Sequence, residues 1–479
     1  MRLRDWLPDV AGPDVEITGL AEHVAEVRPG DAFIALPGRR RHGLDFAAEA
    51  AANGAVVVLH EPGDAVPPLP IPAVAVAGLG RRIKALAARF YGHPSRGMEI
   101  IGVTGTNGKT SCSFYLAQVL GGAVMGTLGW GRPGSLHPTA HTTAPAIATQ
   151  RRLAALRDAG VTTVAMEVSS HALDQGRVAE VAFDAAVWTN LSRDHLDYHG
   201  DLRRYAAAKR RLLAWPGLQA AVINLDDPVW PAMREACEGK VVGYAWRTRP
   251  AVEFPVVEAR QVRFAPEGIE FEAVFQGASH PAQVGLLGEG NLENALAVLA
   301  LLLAQGWPLP RAVAALGRLA PVPGRMERFR APGRPLVVVD YAHTPAALEM
   351  ALTSLRRHCR GRLWVVFGCG GDRDRGKRPL MGRIAERLAD EVILTDDNPR
   401  TEDGAAIVAA IAAGMARPPR IVRDRGEAID RALAEAGEGD VVLVAGKGHE
   451  TWQEIAGRRL PFSDREWIQN RLAEEATCV

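Results

Sequence analysis

The sequence predicts an α/β fold, and three observations carry that prediction. Short apolar runs rich in Val, Ile and Ala recur along the chain. Helical patterns of roughly 10–20 residues separate them. Several runs end in polar residues, as buried parallel strands do at the carboxyl edge where open α/β sheets bind ligands. The chain has 479 residues, and at about 150 residues per domain that length suggests three domains. The expected units are 1–92, 93–323 and 324–479.

The first unit reads as a small α/β domain. Its runs AFIAL (Ala32 to Leu36), AVVVLH (Ala55 to His60) and AVAVAG (Ala73 to Gly78) alternate with helical stretches such as LDFAAEAAANG. The stretch from Glu61 to Pro72 holds too many prolines for regular structure and reads as a surface connection. The second unit opens with MEIIGV, which feeds into a Gly-rich turn and then the helical pattern SFYLAQVL: strand, loop, helix. VTTVAMEVSSH, AAVWTN and AAVINLDD follow as further strands with polar ends, the mark of a parallel-sheet nucleotide-binding domain. In the third unit, PLVVVD, RLWVVF, EVILTD, RIV and DVVLVAG alternate with helices, which predicts a doubly wound, Rossmann-like parallel sheet.

Composition excludes several classes of function. Lys+Arg number 56 and Asp+Glu 55, a net charge of +1, so no whole-protein field favours nucleic acid or an anionic membrane. The longest clean apolar run, Ala295 to Ala304, is far shorter than the ~18–20 residues of a membrane span. The N-terminal segment carries acidic residues and prolines where a signal peptide needs an apolar stretch. Cys112, Cys237, Cys359, Cys369 and Cys478 are scattered without CxxC spacing, and read as reduced thiols in a cytoplasmic protein.

GVTGTNGKT, Gly102 to Thr110, carries the strongest chemical signal. Backbone N–H groups of such a turn, backed by a helix N-terminus, point at phosphate oxygens; Lys109 adds a charge, and the Thr110 hydroxyl suits Mg²⁺. Val103 stands where the strict GxxxxGK[ST] pattern has glycine. Gly105, Thr106, Asn107, Gly108, Lys109, Thr110 and Ser111 nevertheless form an ATP phosphate loop between strand and helix.

TGTNGKT resembles the phosphate loop of the Mur ligases, the ATP-dependent amino-acid-adding enzymes of peptidoglycan synthesis. MEVSSHALDQGR (Met166 to Arg177), TNLSRDHLDYHGD (Thr189 to Asp201), YAAAK (Tyr205 to Lys209), PVPGRME, DYAHTP, FGCGGDRDRGKRP, DNPR (Asp397 to Arg400) and GKGHE (Gly446 to Glu450) follow in that family's order. The resemblance covers nearly the whole chain. It implies the step that adds a third amino acid to UDP-N-acetylmuramoyl-L-alanyl-D-glutamate, with ATP as substrate, Mg²⁺ as cofactor, small molecules as the only partners and a monomer as the working form. Lys109, Glu167, His195 and Lys209 are the implied catalytic residues. Thr110, Glu167 and His195 would hold metal, with Lys209 carbamylated as a further ligand. Taken alone, a lysine beside Arg210 and Arg211 reads as a solvated helix residue.

Further contacts are implied in the same way. Asn291, Asn294, Arg325 and Asp340 would meet adenine and ribose, although Asn294 alone reads equally well as helix surface. Thr142, Thr143, Ser169, Gln175 and Arg177 would meet the muramyl dipeptide; singly, each is an ordinary polar residue. Arg373, Asp397, Asn398, Pro399, Arg400, Gly446 and Glu450 would form the amino-acid pocket. Diaminopimelate differs from lysine by one carboxylate, and Arg400 of DNPR supplies the cation it needs. The first unit departs from the pattern. His23, Val24 and Ala25 stand where relatives carry Asp-Ser-Arg, while Arg39, Arg40 and Arg41 either bind the diphosphate or form a solvated loop. Rival readings are a lysine-adding ligase, a folylpolyglutamate synthetase-like enzyme and a non-catalytic ATP-dependent sensor of muramyl peptides.

Overall fold

The computed structural model describes residues 1–38 and 41–476; Arg39, Arg40 and Cys478 lie outside them. The chain divides into two units, Met1–Val242 and Gly243–Val479. The first holds two sheets. Strands β1 (Gly19–Ala21), β2 (Asp31–Ile34), β3 (Val57–His60) and β4 (Ala73–Ala75) pair in parallel in that order. Ile34, Val57 and Leu59 face one apolar layer with Trp6, Leu79 and Ile83, while Phe33, Ala35 and Val58 face another with Leu44 and Ala47. That alternation is the period of a strand covered on both sides. The proline-rich connection has no regular structure, and its first residue caps the next helix: the Glu61 carboxylate accepts the N–H groups of Gly78 and Gly80 at 2.9 Å each.

The second sheet of this unit holds β5 (Glu99–Thr104), β6 (Ala123–Gly126), β7 (Gly129–Arg132), β8 (Ser135–His137), β9 (Thr163–Glu167), β10 (Ala185–Trp188) and β11 (Ala220–Asn224). Their order is β11-β10-β5-β9-β6-β7-β8. The run from β11 to β6 is parallel, and β6, β7 and β8 form an antiparallel meander. Register pairs Thr104 with Trp188 and Val103 with Glu167, which brings three strand ends to one edge.

β12 (Lys240–Ala245) crosses the division. In the second unit its end pairs with β13 (Val256–Ala265), which continues antiparallel into β14 (Gly268–Phe275) and β15 (Ala278–Val284). The run Ala295 to Ala304 lies in the buried helix Glu289–Ala304. Next come β16 (Glu327–Phe329), β17 (Leu336–Asp340), β18 (Leu363–Phe367), β19 (Glu391–Leu394), β20 (Arg420–Ile421) and β21 (Val441–Ala445), in the order β16-β17-β21-β18-β19-β20. All pair in parallel except the edge strand β16. The sheet is doubly wound as expected. Val338, Val365 and Leu443 pack with Leu348, Met381 and Ile407 on one face, while Val339, Val366 and Val444 pack with Ile429 and Ile468 on the other. A two-stranded hairpin, β22 (Trp452–Ile455) and β23 (Arg458–Pro461), follows.

Among the described residues no helix is long and apolar enough to cross a membrane, and the four described cysteines are free thiols. Behind the third sheet, Arg425 and Asp464 form a fully buried two-point ion pair at 2.7 and 2.8 Å, and the same guanidinium donates to the Ala445 carbonyl at 3.0 Å. Asp464→Ala leaves a buried cation without its counter-charge and lowers unfolding free energy by about 3–5 kcal/mol, measured by urea denaturation.

Candidate active site

The phosphate loop leaves β5 at the carboxyl edge and enters the helix Lys109–Leu120. Gly105 (φ +148°) and Gly108 (φ +84°) adopt backbone that side chains resist, and a Cβ on Gly105 would lie 1.8 Å from Thr189 Oγ1. The segment after β10 holds the loop in place. Thr106 N–H donates to the Asn190 carbonyl (2.8 Å), Asn107 N–H to Asn190 Oδ1 (3.0 Å), and the Thr189 hydroxyl to the Asn107 carbonyl (2.7 Å). Lys109 folds over the loop, its ammonium donating to the carbonyls of Gly105 (3.0 Å) and Thr106 (2.8 Å).

Glu167, the last residue of β9, is 1% exposed. The Thr110 hydroxyl (3.0 Å), Thr127 N–H (2.7 Å) and Thr127 hydroxyl (3.2 Å) all donate to its carboxylate. These bonds make burial of the carboxylate tolerable. Thr110 and Glu167 present hard oxygens to each other, the donor type Mg²⁺ takes. Among the described residues no group of three or more His, Cys, Asp or Glu is placed to hold a metal.

Lys209 lies on the buried face of the helix Leu202–Leu213 with Tyr205 and Leu212, and is 1% exposed despite its arginine neighbours. Its Nζ lies 2.5 Å from the Gly105 carbonyl, and burial, reinforced by Lys109, holds its pKa well below the ordinary lysine value. Tyr205 lies beside it, ring centroid 4.7 Å from Nζ. The His195 ring lies 6.1 Å from that of Tyr205, centroid to centroid, with Nε2 3.4 Å from Asp194 and its ring edge-on to His171.

The residues expected to meet the dipeptide converge. The Thr142 hydroxyl lies 3.1 Å from that of Thr127. The Thr143 hydroxyl donates to the Glu167 carbonyl and accepts from Ser169 N–H. Arg177 reaches Gln175 Oε1 with two nitrogens (2.9 and 2.7 Å) and the Thr143 carbonyl with a third (3.0 Å). Gln175 donates to the Tyr198 hydroxyl. Arg41 instead lies over the Phe46 ring (4.3 Å) and 3.3 Å from Asp45, and His23 caps the short turn Val24–Glu26.

In the second unit, Asn291 and Asn294 are both 6% exposed, not helix surface; Asn291 donates to the Leu287 carbonyl and Asn294 to Asn291 Oδ1. Asp340 accepts from Met326 N–H (2.8 Å), burial raises its pKa, and Arg325 stacks over Tyr341. The segments after β18, β19 and β21 carry the residues expected to form the amino-acid pocket. The Asn398 amide donates to Glu450 (2.8 Å), Arg400 Nη1 to the Gly371 carbonyl (2.6 Å), and Arg400 (φ +55°) also reaches Glu454. A Cβ on Gly446 would lie 2.3 Å from Asp397, and Pro399 O packs against Gly371. Arg373 extends from the exposed loop after β18. Thr127, Asn190, Tyr205 and Lys447 belong to these clusters although sequence reasoning did not single them out.

Three family models match in chain order: Mur ligase family, catalytic domain, over residues 16–91; Mur ligase middle domain over 103–302; and Mur ligase, glutamate ligase domain, over 324–448. The chain is 50% identical over 491 residues to a UDP-N-acetylmuramoyl-L-alanyl-D-glutamate–2,6-diaminopimelate ligase of Alkalilimnicola ehrlichii, covering 99% of this chain and 98% of that protein. It is 50% identical over 483 residues to the protein of that name in Pseudomonas aeruginosa, with the same coverage. A solved structure under that name aligns with a TM-score of 0.71 at 36% identity, covering 99% of both chains.

Gly105→Ala drives a methyl into Thr189 and should weaken ATP binding at least about tenfold by calorimetry. A pH effect follows from His449. Burial, with Arg325, Arg465 and Lys447 nearby, pushes its pKa down to about 4. Between pH 6.5 and 4 the unfolded chain binds a proton that the folded chain refuses, so stability falls as pH falls. His449→Gln should reduce the loss in urea-unfolding free energy between pH 7 and 5 by about 2 kcal/mol relative to the parent.

Proposed function

Because the chain belongs to the Mur ligase family, we propose that it joins meso-diaminopimelate to the D-glutamyl side-chain carboxylate of UDP-N-acetylmuramoyl-L-alanyl-D-glutamate, converting ATP to ADP and phosphate. The observation that carries this reading is the buried, hydrogen-bonded Glu167 beside the phosphate loop's Thr110. A nucleotide-binding loop next to a fixed carboxylate is the equipment for phosphoryl transfer between two anions.

The loop amides and Lys109 hold the phosphates of ATP. Arg177, Gln175, Thr143 and Ser169 grip the dipeptide and orient its side-chain carboxylate toward the γ-phosphorus. A carboxylate oxygen attacks, ADP leaves, and an acyl phosphate forms. The diaminopimelate amine then attacks the acyl carbon, phosphate departs, and the amine's proton is lost to solvent or base. Holding the reactants in line accounts for much of the acceleration. Mg²⁺ fits the oxygen donors of Thr110 and Glu167, and supplies neutralisation of the charge that gathers on the transferring phosphoryl group.

Lys209 is the site of a carbamate in this proposal: its neutral amine adds to CO₂, and one proton is released. His195 and that carbamate would hold a second ion, which would neutralise further phosphate charge. Asn291, Asn294, Arg325 and Asp340 bind adenine and ribose, and Arg41, with Arg39 and Arg40, meets the diphosphate. Asn398, Arg400, Glu450, Asp397, Arg373, Pro399 and Gly446 bind the far end of diaminopimelate. The enzyme works in the cytoplasm as a monomer on small-molecule substrates.

ADP release by the purified protein, with product mass confirmed, tests the reading. Turnover with diaminopimelate but not L-lysine is expected. Turnover with lysine alone contradicts the role of Arg400, and turnover with neither contradicts the reaction. Lys109→Ala should lower ADP release by about a hundredfold or more, whereas a peptide sensor would keep its dipeptide affinity and have no turnover to lose.

A further inference from the structure

Lys447 is fully buried, and its ammonium meets three acceptors: Glu450 Oε2 at 3.1 Å, Asn398 Oδ1 at 3.4 Å and the Trp452 carbonyl. An ammonium has three N–H bonds and no lone pair, so nothing of Lys447 remains for a ligand. The effect of these contacts falls on Asn398 and Glu450. Asn398 is 1% exposed, and its Oδ1 also accepts Glu454 N–H at 2.9 Å, while its Nδ2 donates to Glu450 Oε2 at 2.8 Å. A flipped amide would set its NH₂ group against both an ammonium and a backbone N–H. Beyond these bonds the cluster keeps one Asn398 N–H and one Glu450 oxygen, a donor beside an acceptor.

We propose that Lys447 is a positioning, specificity-determining residue: by fixing the Asn398 amide and neutralising part of Glu450, it makes the pocket complementary to a zwitterionic amino-acid end instead of a lone ammonium. The proposal rests on the functional reading above. A zwitterion places its carboxylate on the Asn398 N–H and the Arg400 guanidinium, and its ammonium on Glu450. A lone ammonium can use Glu450 only, and leaves the other two donors facing a group that cannot accept. Without Lys447 only Glu454 N–H and Glu450 hold the amide, so it turns its oxygen outward more readily, and Glu450 carries its full charge; both changes favour the lone ammonium. The same segment supports Arg400, whose N–H donates to the Glu454 carbonyl at 2.9 Å.

Steady-state kinetics of Lys447→Met with diaminopimelate and with L-lysine test the proposal. The expected result is a rise of about tenfold or more in KM for diaminopimelate. The ratio of kcat/KM for diaminopimelate over lysine should fall by a similar factor. Saturated kcat and KM for ATP should stay within about threefold of the parent. An unchanged ratio in a folded variant, or a parallel rise in KM for every substrate, would overturn it. If Lys447→Met loses its circular-dichroism signature, Lys447→Gln, which keeps a neutral donor, should show the same changes at smaller size; an unchanged ratio there has the same negative meaning. Absence of diaminopimelate-dependent ADP release in the parent protein contradicts the functional reading and not the role of Lys447. That role is then read by calorimetry, as the loss of diaminopimelate-over-lysine binding preference in the variant; equal preference in parent and variant overturns it.

Discussion

Two lysine side chains converge on one backbone carbonyl, that of Gly105, and the repulsion between them orders the chemistry around the phosphate loop. Lys109 stands at the loop's mouth, where a cation suits phosphate. Lys209 approaches from the buried side, where burial and the nearby charge both disfavour a second cation. A lowered pKa raises the share of neutral amine, the nucleophilic form that the proposed carbamate at Lys209 requires. The loop itself is held from the neighbouring strand by Thr189 and Asn190, so the position of both lysines depends on the parallel pairing of β5 with β10.

The second unit solves a different problem with the same economy of means. Its loops leave the carboxyl ends of parallel strands and would wander without ties. Buried or half-buried charge pairs supply the ties. Arg425 with Asp464 reaches the end of β21, and Arg378, 4% exposed, grips Glu402 and so fastens the loop after β18 to the turn that carries Arg400. Those bonds pull the Glu402 pKa down to about 2. Lys447 extends the pattern to Glu450, whose carboxylate it balances.

Much of this was legible in the chain. The runs that read as parallel strands in the third region are β17 to β21, and the Gly-rich turn sits between a strand and a helix as its spacing requires. Val103 in place of glycine did not matter, since the conformational demand falls on Gly105 and Gly108. Other features depend on long-range contacts that no local pattern encodes. Lys209 looks solvated beside two arginines, and only the packing of its helix against the loop shows that its face is buried. Thr127, which lies in none of the chemical motifs, clamps Glu167 across the sheet edge. Asn190 was read as part of a motif and not as the loop's anchor. The long antiparallel strands β13 to β15 gave no distinct signal, because their faces are half polar throughout.

The central claim is that this site activates a carboxylate by phosphorylating it. The most direct measurement uses dipeptide substrate carrying heavy oxygen in the D-glutamyl side-chain carboxylate, with the released phosphate examined by mass spectrometry. An acyl phosphate passes one carboxylate oxygen to phosphate when the amine displaces it, so the account predicts labelled phosphate in proportion to the amide formed. Amide formation with unlabelled phosphate would contradict it.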